Sequence, residues 1–495
     1  SQRRGEIDFF MQHPHQTQQM QLEKLLTQAK PTAFGREHGF ATIHTGRDFA
    51  ARVPVSDYDR FEGLIARSRA GEGDVTWPGE VRWFAKSSGT TGSKSKFIPV
   101  TGEGLSQCHL RGPMDVVCLF ASLYPRSKVF SGKTLTLGGS HRLESTGGSA
   151  QEGDLSAILI ENTPKWADWR RAPRAETALI PDFEEKVQAI CRETVDQKIT
   201  AFAGVPSWNL VMLNKVLEYT GKDNILEVWP QMELFIHGGM NFKPYRDQYR
   251  RIFPSEQMKY METYNASEGF FAIQNEPAKD DMLLMLDYGV YYEFLPTAAL
   301  HDPSQAVPLE GVRTGVNYAL IISTCNGLWR YMIGDTVEFT SLSPYKIRIT
   351  GRTKHFINAF GEEIIIDNAE TALKAACDAT GAQISDYTAG PIYMDDKTKG
   401  SHQWLIEISR PPAHAERFTD LLDEALQRVN SDYEAKRFKD TTLLRPTLTV
   451  LPEGTFYRWM KDRGKAGGQN KVPRLCNDRT YIDQLLALPG REVAG

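Results

Sequence analysis

The chain has 495 residues, 41% of them hydrophobic and 24% charged, with 58 basic and 62 acidic side chains and a formal net charge of −4. This length is too great for a single hydrophobic core, so two or three domains are expected. The charge is nearly balanced and no basic tract is present, which argues against nucleic-acid binding, and six scattered cysteines without a Cys-x-x-Cys pair argue against a disulfide framework or a zinc site.

The same composition leads to an expectation about location. No apolar run approaches the ~18 residues of a membrane span, and no signal-peptide core opens the sequence. Unpaired cysteines suit a reducing compartment. We therefore expect a cytoplasmic monomer that binds neither a membrane nor nucleic acid.

The first predicted element is a helix within residues 1–30, where Met20, Leu22, Leu25 and Leu26 recur at helical spacing. A glycine-rich stretch follows at residues 85–101, which read AKSSGTTGSKSKFIPVT. Its glycines let the backbone approach a ligand closely. Its hydroxyls, free backbone N–H groups and lysines suit a polyphosphate, and the Phe-Ile-Pro-Val run predicts a strand.

This stretch differs from a Walker A loop, because two residues separate Gly89 from Gly92 where that motif has four. Read by itself, it fits a solvated turn equally well. The choice between the two interpretations depends on the motifs further along the chain.

Residues 103–120 predict a long helix, kinked or broken at Gly112-Pro113, whose start lies close enough to the phosphate loop to line a pocket. Strands and helices then alternate. Strands are predicted at 200–204, 234–237 and 258–263, with helices at 183–198, after Pro206 through Tyr219, and up to Arg251. This alternation is typical of a mostly parallel sheet covered by helices.

From Met282 to Phe339 short, closely spaced strands predict an antiparallel or barrel-like subdomain. Residues 355–495 alternate helix and strand again, with helices predicted at 367–377 and 414–429 and strands at 404–409 and 447–451, which suits a small α+β domain. We therefore predict an α/β protein with a large N-terminal domain, mostly of parallel sheets plus the barrel-like subdomain, over 1–350. A small mobile α+β domain occupies 351–495, with a hinge near 351–355.

Residues 264–269, Tyr-Asn-Ala-Ser-Glu-Gly, directly follow a predicted strand. An aromatic ring can stack on a purine, small residues can approach a phosphate, and a carboxylate such as Glu268 can hold Mg²⁺. A helix-capping or surface role is the alternative for Glu268.

Residues 329–335, Trp-Arg-Tyr-Met-Ile-Gly-Asp, predict a strand that ends at Asp335. A carboxylate there can accept hydrogen bonds from ribose hydroxyls, although Gly-Asp is also an ordinary turn pair. Far down the chain, Gly468-Gln-Asn-Lys-Val-Pro-Arg474 carries Lys471. A mobile lysine can bring charge to a leaving pyrophosphate, and the alternative is a solvated side chain.

The order of these motifs resembles the adenylate-forming superfamily, which includes acyl-CoA ligases, luciferases and the adenylation domains of peptide synthetases. The residues of these motifs are most similar to those of one branch, the auxin-responsive acyl-acid-amido synthetases, in a bacterial form. The resemblance extends over nearly the whole chain. It also includes residues 34–40, 53–58, 204–208 and 237–239.

The resemblance implies a set of site residues, each at the position that matches the family's motif. The phosphate loop would contain Ser87, Ser88, Thr90, Thr91 and Lys96. The adenosine would lie beside Gly238, Gly239 and Tyr264, with the ribose held by Asp335 and Arg352. Ser267 would contact the α-phosphate region, Glu268 would bind Mg²⁺, Lys354 would occupy the hinge, and Lys471 would be the catalytic lysine.

One position departs from the family pattern. The family's third motif usually has arginine directly after the tyrosine, whereas Met332 follows Tyr331 here. Arg330 is the candidate to replace that arginine.

The implied activity is adenylation of a small carboxylic acid by Mg·ATP, followed by transfer of the acyl group to the amine of an amino acid. The alternatives are an acyl-CoA ligase, an enzyme that loads a carrier protein, and, more remotely, a nucleotide-binding protein without catalysis. The acyl pocket is expected among the 103–120 helix, the Phe202–Trp208 turn and Met240, which are apolar enough for a flat ring or an alkyl acid. Neither the acid nor the acceptor can be identified from the sequence.

Overall fold

The structure is a computed structural model. It describes residues 2–87, 96–138, 143–145, 149–239, 242, 245–353, 356–357, 362, 364–393, 400–412, 414–430, 433–434, 437, 443–463, 471–476 and 478–488, with the backbone alone at Ser87, Trp166, Phe183, Ser207, Trp208 and Phe356. Within these ranges no helix is both long enough and apolar enough to cross a membrane.

Five helices open the chain and pack on the body through their apolar faces. They are α1 (Gln2–Gln12), α2 (Pro14–Ala29), α3 (Ala33–Glu37), α4 (Gly46–Arg52) and α5 (Tyr58–Arg69). The helix predicted from leucine spacing is confirmed as α2, where Leu22, Leu25 and Leu26 are buried. Arg3 of α1 is anchored to the body, because its Nη2 lies 2.6 Å from Asp115 Oδ2.

The next segment is a hairpin and a kinked helix. The elements are β1 (Trp83–Ser87), β2 (Lys96–Val100), α6 (Gly102–Gly104), a π-helical turn (Leu105–His109) and α7 (Arg111–Leu123). The break predicted at Gly112-Pro113 was wrong in position. Both residues lie in the first turn of α7, where a missing N–H is tolerated. The interruption is the π turn just upstream, closed by the hydrogen bond from Leu110 N to Leu105 O at 2.9 Å.

Strands and helices alternate through the following section, as predicted. The strands are β3 (Lys133–Thr136), β4 (Glu144–Ser145), β5 (Gln151–Gly153), β6 (Arg171–Ala172), β7 (Ile199–Gly204), β8 (Leu234–Gly238) and β9 (Lys259–Ala266). The helices are α8 (Leu155–Asn162), α9 (Lys165–Asp168), α10 (Ala175–Ala178), α11 (Phe183–Thr194), α12 (Pro206–Thr220), α13 (Ile225–Val228) and α14 (Arg246–Ile252).

A run of strands follows, joined by short connections. They are β10 (Gly269–Ile273), β11 (Met282–Leu284), β12 (Val290–Pro296), β13 (Val307–Pro308), β14 (Asn317–Thr324), β15 (Tyr331–Leu342) and β16 (Tyr345–Arg352). Short 3₁₀ turns occupy Phe40–Thr42, Val129–Ser131, Thr297–Ala299, Pro303–Gln305 and Leu309–Gly311.

Most of these strands form one twelve-stranded sheet with the order β13-β12-β14-β15-β16-β11-β10-β9-β8-β7-β3-β6. Pairing is parallel from β9 through β8, β7 and β3 to β6, and antiparallel from β9 to β13. The antiparallel region predicted from residue 282 onward is therefore continuous with the parallel region. A smaller sheet has the order β2-β1-β5-β4.

The C-terminal part is α+β. It contains β17 (Phe356–Ile357), β18 (Ile364–Ile365), α15 (Ile366–Thr380), β19 (Gln383–Ile392), β20 (Ser401–Arg410), α16 (Ala415–Val429), β21 (Thr447–Leu451), α17 (Thr455–Asp462) and α18 (Thr480–Leu486). Strands β19, β20 and β21 form a sheet, and its core is separate from the two large cores of the N-terminal part. The predicted fold class, a large α/β part followed by a smaller α+β part, is confirmed.

Candidate active site

Residues that are far apart in the sequence meet around one cavity of about 1350 Å³. The parallel strands β7, β8 and β9 all end at it, contributing Gly204, Gly238 and Ala266 to its walls. Ligands of open α/β sheets bind at this edge, beyond the carboxyl ends of the strands. The topology therefore places the motif-bearing turns at the edge where a ligand is expected.

The predicted site residues divide into those that line this cavity and those that cannot be located. The cavity walls include Lys96, Gly238, Gly239, Tyr264, Ser267, Glu268, Asp335, Arg352 and Lys471. Ser88, Thr90, Thr91 and Lys354 lie outside the described residues, and Ser87 is described by its backbone alone, as the last residue of β1. The roles assigned to all these residues stay predictions.

Asp335 is held by two neighbours in a fixed orientation. Tyr264 Oη donates to its Oδ2 at 2.8 Å, and Arg352 Nε donates to its Oδ1 at 2.6 Å. Asp335 and Arg352 are direct partners across β15 and β16. Burial raises the pKa of Tyr264 well above 10, so its hydroxyl stays protonated and donates. Each carboxylate oxygen keeps a second lone pair for a ligand hydroxyl.

Asp335 also differs from its predicted position. It lies within β15 rather than at the end of a strand, and the preceding Gly334 has a φ of +92°. This left-handed conformation favours glycine. The turn-aspartate interpretation was therefore wrong, because the residue is a cross-strand partner in the sheet.

Glu268 sits on a tight hairpin turn between β9 and β10, where Ala266 pairs with Gly269. Its side chain is 6% exposed, and burial raises the pKa of its carboxyl group. The positive charges of Lys96 and Arg352 lower the same pKa and partly offset the effect of burial. The helix-capping and surface interpretations were both wrong, since Glu268 is a buried acid at the cavity wall.

Lys471 reaches the same cavity from the C-terminal part. Its Nζ would lie 3.2 Å from a Cβ added to Gly239, whose φ is +80°. Burial lowers the pKa of Lys471 to about 8, with Arg352 lowering it further by repulsion, while Asp335 and Glu370 raise it. Lys471 is partly exposed, but it lines the cavity beside Gly239 and does not extend into bulk solvent, which contradicts the alternative of a solvated surface lysine.

Arg330 does not replace the arginine that the motif lacks. Its φ is +43°, and its side chain turns into the protein interior, where Nε lies 2.9 Å from Glu293 Oε2. Nη1 donates to the carbonyl oxygens of Ala50 and Val53 at 2.9 and 2.8 Å. Arg330 thus fastens α4 to the sheet. The cavity wall is formed by Met332 instead.

Two buried histidines in the cavity wall were not among the predicted site residues. His237 is 3% exposed and burial lowers its pKa to about 3, so it is neutral. Its Gly-Gly neighbours marked the turn and could have drawn attention to it. His109 is 2% exposed, and no local pattern points to it, because its position depends on the π turn.

An apolar region of the cavity lies beside α7 and α8. Its lining includes Pro113, Val116, Val117, Leu155 and Leu159. The β7–α12 turn, predicted to help form the acyl pocket, contributes Ala203 and Val205. Met240 lies outside the described residues.

Three family models match the chain. The model described as the GH3 family N-terminal domain matches residues 3–258, the central domain matches 283–352, and the C-terminal domain matches 367–480. Indole-3-acetic acid-amido synthetase GH3.3 of Arabidopsis thaliana is 22% identical over 556 aligned positions, covering 94% of this chain and 90% of the relative. 4-substituted benzoates-glutamate ligase GH3.12 of Arabidopsis thaliana is 24% identical over 290 aligned positions, covering 53% of this chain and 49% of the relative.

Solved structures share the fold. GH3.15 acyl acid amido synthetase superposes with a TM-score of 0.79 at 17% identity, covering 95% of this chain and 93% of the other. 2-Hydroxyisobutyryl-CoA ligase in the postadenylation state has a TM-score of 0.62 at 14% identity, covering 95% and 92%. Both likenesses include the N-terminal and the C-terminal parts.

Proposed function

Because the chain belongs to the GH3 family, we propose that it is an acid–amino acid ligase that works through an acyl-adenylate. The carboxylate of a small acid attacks the α-phosphorus of ATP, forming an acyl-phosphate bond and releasing pyrophosphate. The amine of an amino acid then attacks the acyl carbon, forming an amide, releasing AMP and losing a proton.

The single observation that carries this proposal is the convergence on one cavity of Glu268, the Asp335–Arg352 pair and Lys471. A carboxylate is a poor acylating agent, because its leaving group would be oxide. Adenylation replaces oxide by AMP, and its transition state spreads negative charge over phosphate oxygens. Fixed positive groups around those oxygens supply the stabilisation.

Each part of the nucleotide has a candidate partner. The adenine would lie along Gly238 and Gly239 beside Tyr264, and the ribose hydroxyls would donate to Asp335. Ser267 and Lys96 would contact the phosphates. The hydroxyls of Ser87, Ser88, Thr90 and Thr91 complete the predicted phosphate loop.

Glu268 fits a bound Mg²⁺, because it is a buried carboxylate at the cavity wall and its pKa is raised by lack of solvation. Mg²⁺ prefers one or two carboxylates together with phosphate oxygens. When bound, the ion would neutralise charge on the phosphates. Glu268 would hold it, and Lys96 would act on the same region.

The second step requires the amine to reach the acyl carbon. We propose that the C-terminal domain, residues 351–495, turns about a hinge near Lys354 and withdraws Lys471. Two hydrogen bonds now join the two parts, and this motion would break both of them. Tyr245 Oη donates to Ser385 O at 3.2 Å, and Arg474 Nη2 donates to Tyr245 Oη at 3.2 Å. Two half-reactions can then share one site.

The acyl substrate is proposed to be a small aromatic or alkyl acid, since the apolar walls beside α7 and α8 suit such a body. The named substrates of the relatives, indole-3-acetic acid and 4-substituted benzoates, belong to this class. All six cysteines are free thiols. We propose a cytoplasmic location, because a reducing compartment maintains such thiols.

The test is pyrophosphate exchange into ATP, screened over a panel of carboxylic acids. We expect exchange that depends on one class of acid. AMP release is then compared with amino acids, coenzyme A and a carrier protein as acceptors, and amino acids should be the productive ones. Release with coenzyme A alone would indicate an acyl-CoA ligase, and a complete lack of exchange would exclude adenylation.

The rate of adenylation should fall as the pH rises through about 8, because burial lowers the pKa of Lys471 to about 8. The cationic form is present below that pKa and is lost above it. We expect kcat/KM for ATP in the exchange reaction to be level near neutral pH and to fall on the alkaline side.

The matched variant is Lys471→Arg, whose guanidinium keeps its proton throughout this range. Its alkaline decline should move to higher pH even if its rate is lower. An unchanged decline in the variant would show that another group titrates.

A further inference from the structure

His109 is the polar residue of an otherwise apolar stripe along the kinked helix. His109, Pro113, Val116 and Val117 all line the cavity. Residues three and four positions apart lie on one face of a helix, so these four form a continuous wall. The ring of His109 stands at the head of this wall, where the π turn meets α7.

The neighbouring Asn326 has a defined amide orientation. Thr101 N donates to Asn326 Oδ1 at 3.0 Å. The opposite orientation would bring two donors together, so Oδ1 must face Thr101. Asn326 Nδ2 consequently faces the other side, where it lies 3.4 Å from both Glu268 O and His109 Nε2.

The tautomer of His109 follows from this orientation. Nε2 receives an N–H from Asn326 and must act as an acceptor. In a neutral imidazole the other nitrogen then carries the proton, so Nδ1–H is a donor. Burial lowers the pKa of His109 to about 4, which keeps the ring neutral near pH 7.

The Nδ1–H group has no hydrogen-bond partner within the part of the chain that the structure describes. His109 is 2% exposed and lines the cavity. While the cavity is open, water can accept from a donor on its wall. An acid that fills the cavity displaces that water, so it must supply an acceptor of its own or leave the Nδ1–H group unpaired.

An uncharged oxygen is the best match for this donor. A carboxylate placed against one neutral N–H and apolar walls would lose more hydration free energy than a single hydrogen bond to that N–H would restore. The reacting carboxylate also has better partners in Lys471 and Arg352. The acceptor therefore belongs to the body of the acid.

We propose that His109 is a specificity-determining residue that donates from Nδ1 to a hydroxyl, ether or carbonyl oxygen on the acyl substrate. This inference rests on the proposed adenylation. It predicts that the enzyme selects acids whose apolar body carries one such oxygen, because an acid without it leaves the donor unpaired.

The experiment measures kcat/KM in pyrophosphate exchange for pairs of acids that differ by one oxygen, such as 3-phenylpropanoic and phenoxyacetic acid, across several chain lengths. We expect a pair in which the wild type prefers the oxygen-bearing acid by roughly tenfold to a hundredfold. His109→Leu should abolish that preference.

Two amide variants provide the matched control. The amide nitrogen of His109→Asn can occupy the position of Nδ1 and should retain part of the preference. The longer side chain of His109→Gln reaches the position of Nε2 and should lose the preference. A merely structural role would lower both rates together and leave their ratio unchanged. Thermal unfolding of each variant verifies folding.

The tautomer is tested independently of activity by ¹⁵N NMR of histidine-labelled protein. We expect the Nδ1–H form for His109 in the wild type, and loss of that bias in Asn326→Ala. An Nε2–H form would overturn the inference. So would acid-dependent exchange in which no pair shows the preference, or in which His109→Leu keeps it. No exchange with any acid would instead refute the proposed adenylation, and the specificity inference with it.

Discussion

Replacing Lys471 by alanine is expected to lower pyrophosphate exchange about 10²–10³-fold. The lysine approaches Gly239 inside the cavity, where a burial-lowered pKa of about 8 still leaves it mostly cationic near pH 7. Its charge opposes the negative charge that develops on the phosphates in the transition state. Loss of a positioned donor of this kind removes stabilisation that exists only in that state.

The rate of acyl transfer from preformed acyl-adenylate to the amine should change much less in the same variant. The reason is that the proposed rotation removes Lys471 from the site before the amine attacks. Single-turnover measurement of amide formation from synthetic acyl-adenylate provides the comparison. Equal losses in the two half-reactions would contradict the two-conformation mechanism.

Lys461→Ala is the matched control for this experiment. Lys461 also reaches from the C-terminal part to the N-terminal part, where its Nζ lies 3.5 Å from Glu184 Oε1. It is half-exposed and does not line the cavity. Since exposed pairs contribute little to stability, both half-reactions should remain near the wild-type rate.

Replacing Glu268 by glutamine should abolish most of the exchange activity, by about 10² or more, without loss of folding stability. Burial raises the pKa of Glu268, so its charged form costs free energy in the folded protein. That cost is present above the unfolded-state pKa and grows until the folded-state pKa is passed. The neutral amide removes it, and the midpoint of thermal unfolding should be unchanged or higher.

Glu293→Gln is the contrasting variant. Burial raises the pKa of Glu293 as well, and the residue is 3% exposed. Glu293, however, accepts two hydrogen bonds from Arg330, at 2.9 and 3.0 Å. The amide would leave a buried cation without its countercharge, so we expect destabilisation of about 3 kcal/mol.

Denaturant unfolding and pyrophosphate exchange, measured on both variants, separate the two roles. An active-site acid loses activity and keeps stability, whereas a structural acid loses stability. A clear destabilisation in Glu268→Gln would indicate that Glu268 mainly supports the hairpin, and would count against its proposed role at Mg²⁺.

The motifs and their order could be recognised from the sequence, because each motif depends on the chemistry of a short segment. The strand–helix alternation between residues 183 and 266 matched the observed elements closely, since helical and strand periodicities are properties of short segments. The predicted strand at 447–451 is β21 with the same bounds. Strand β19 (Gln383–Ile392) was not predicted.

The kinked helix shows where local reasoning failed. Gly112-Pro113 is a strong breaking signal, yet both residues lie in the first turn of α7. The π turn upstream aligns His109 with the cavity and Cys108 with the sheet, where Phe270 N donates to Cys108 Sγ at 3.0 Å. The geometry of the π turn therefore depends on a contact with β10, 162 residues away in the sequence.

The sequence by itself determined the class of the protein and the residue types in its proposed nucleotide site, because the phosphate loop, the two acidic motifs and the late lysine are each encoded in a short segment. Only the tertiary structure decided which of them meet. The Tyr264–Asp335–Arg352 cluster, the approach of Lys471 to Gly239 and the inward turn of Arg330 all depend on strand register and packing. Such pairings are set by burial across the whole fold, and no local pattern encodes them.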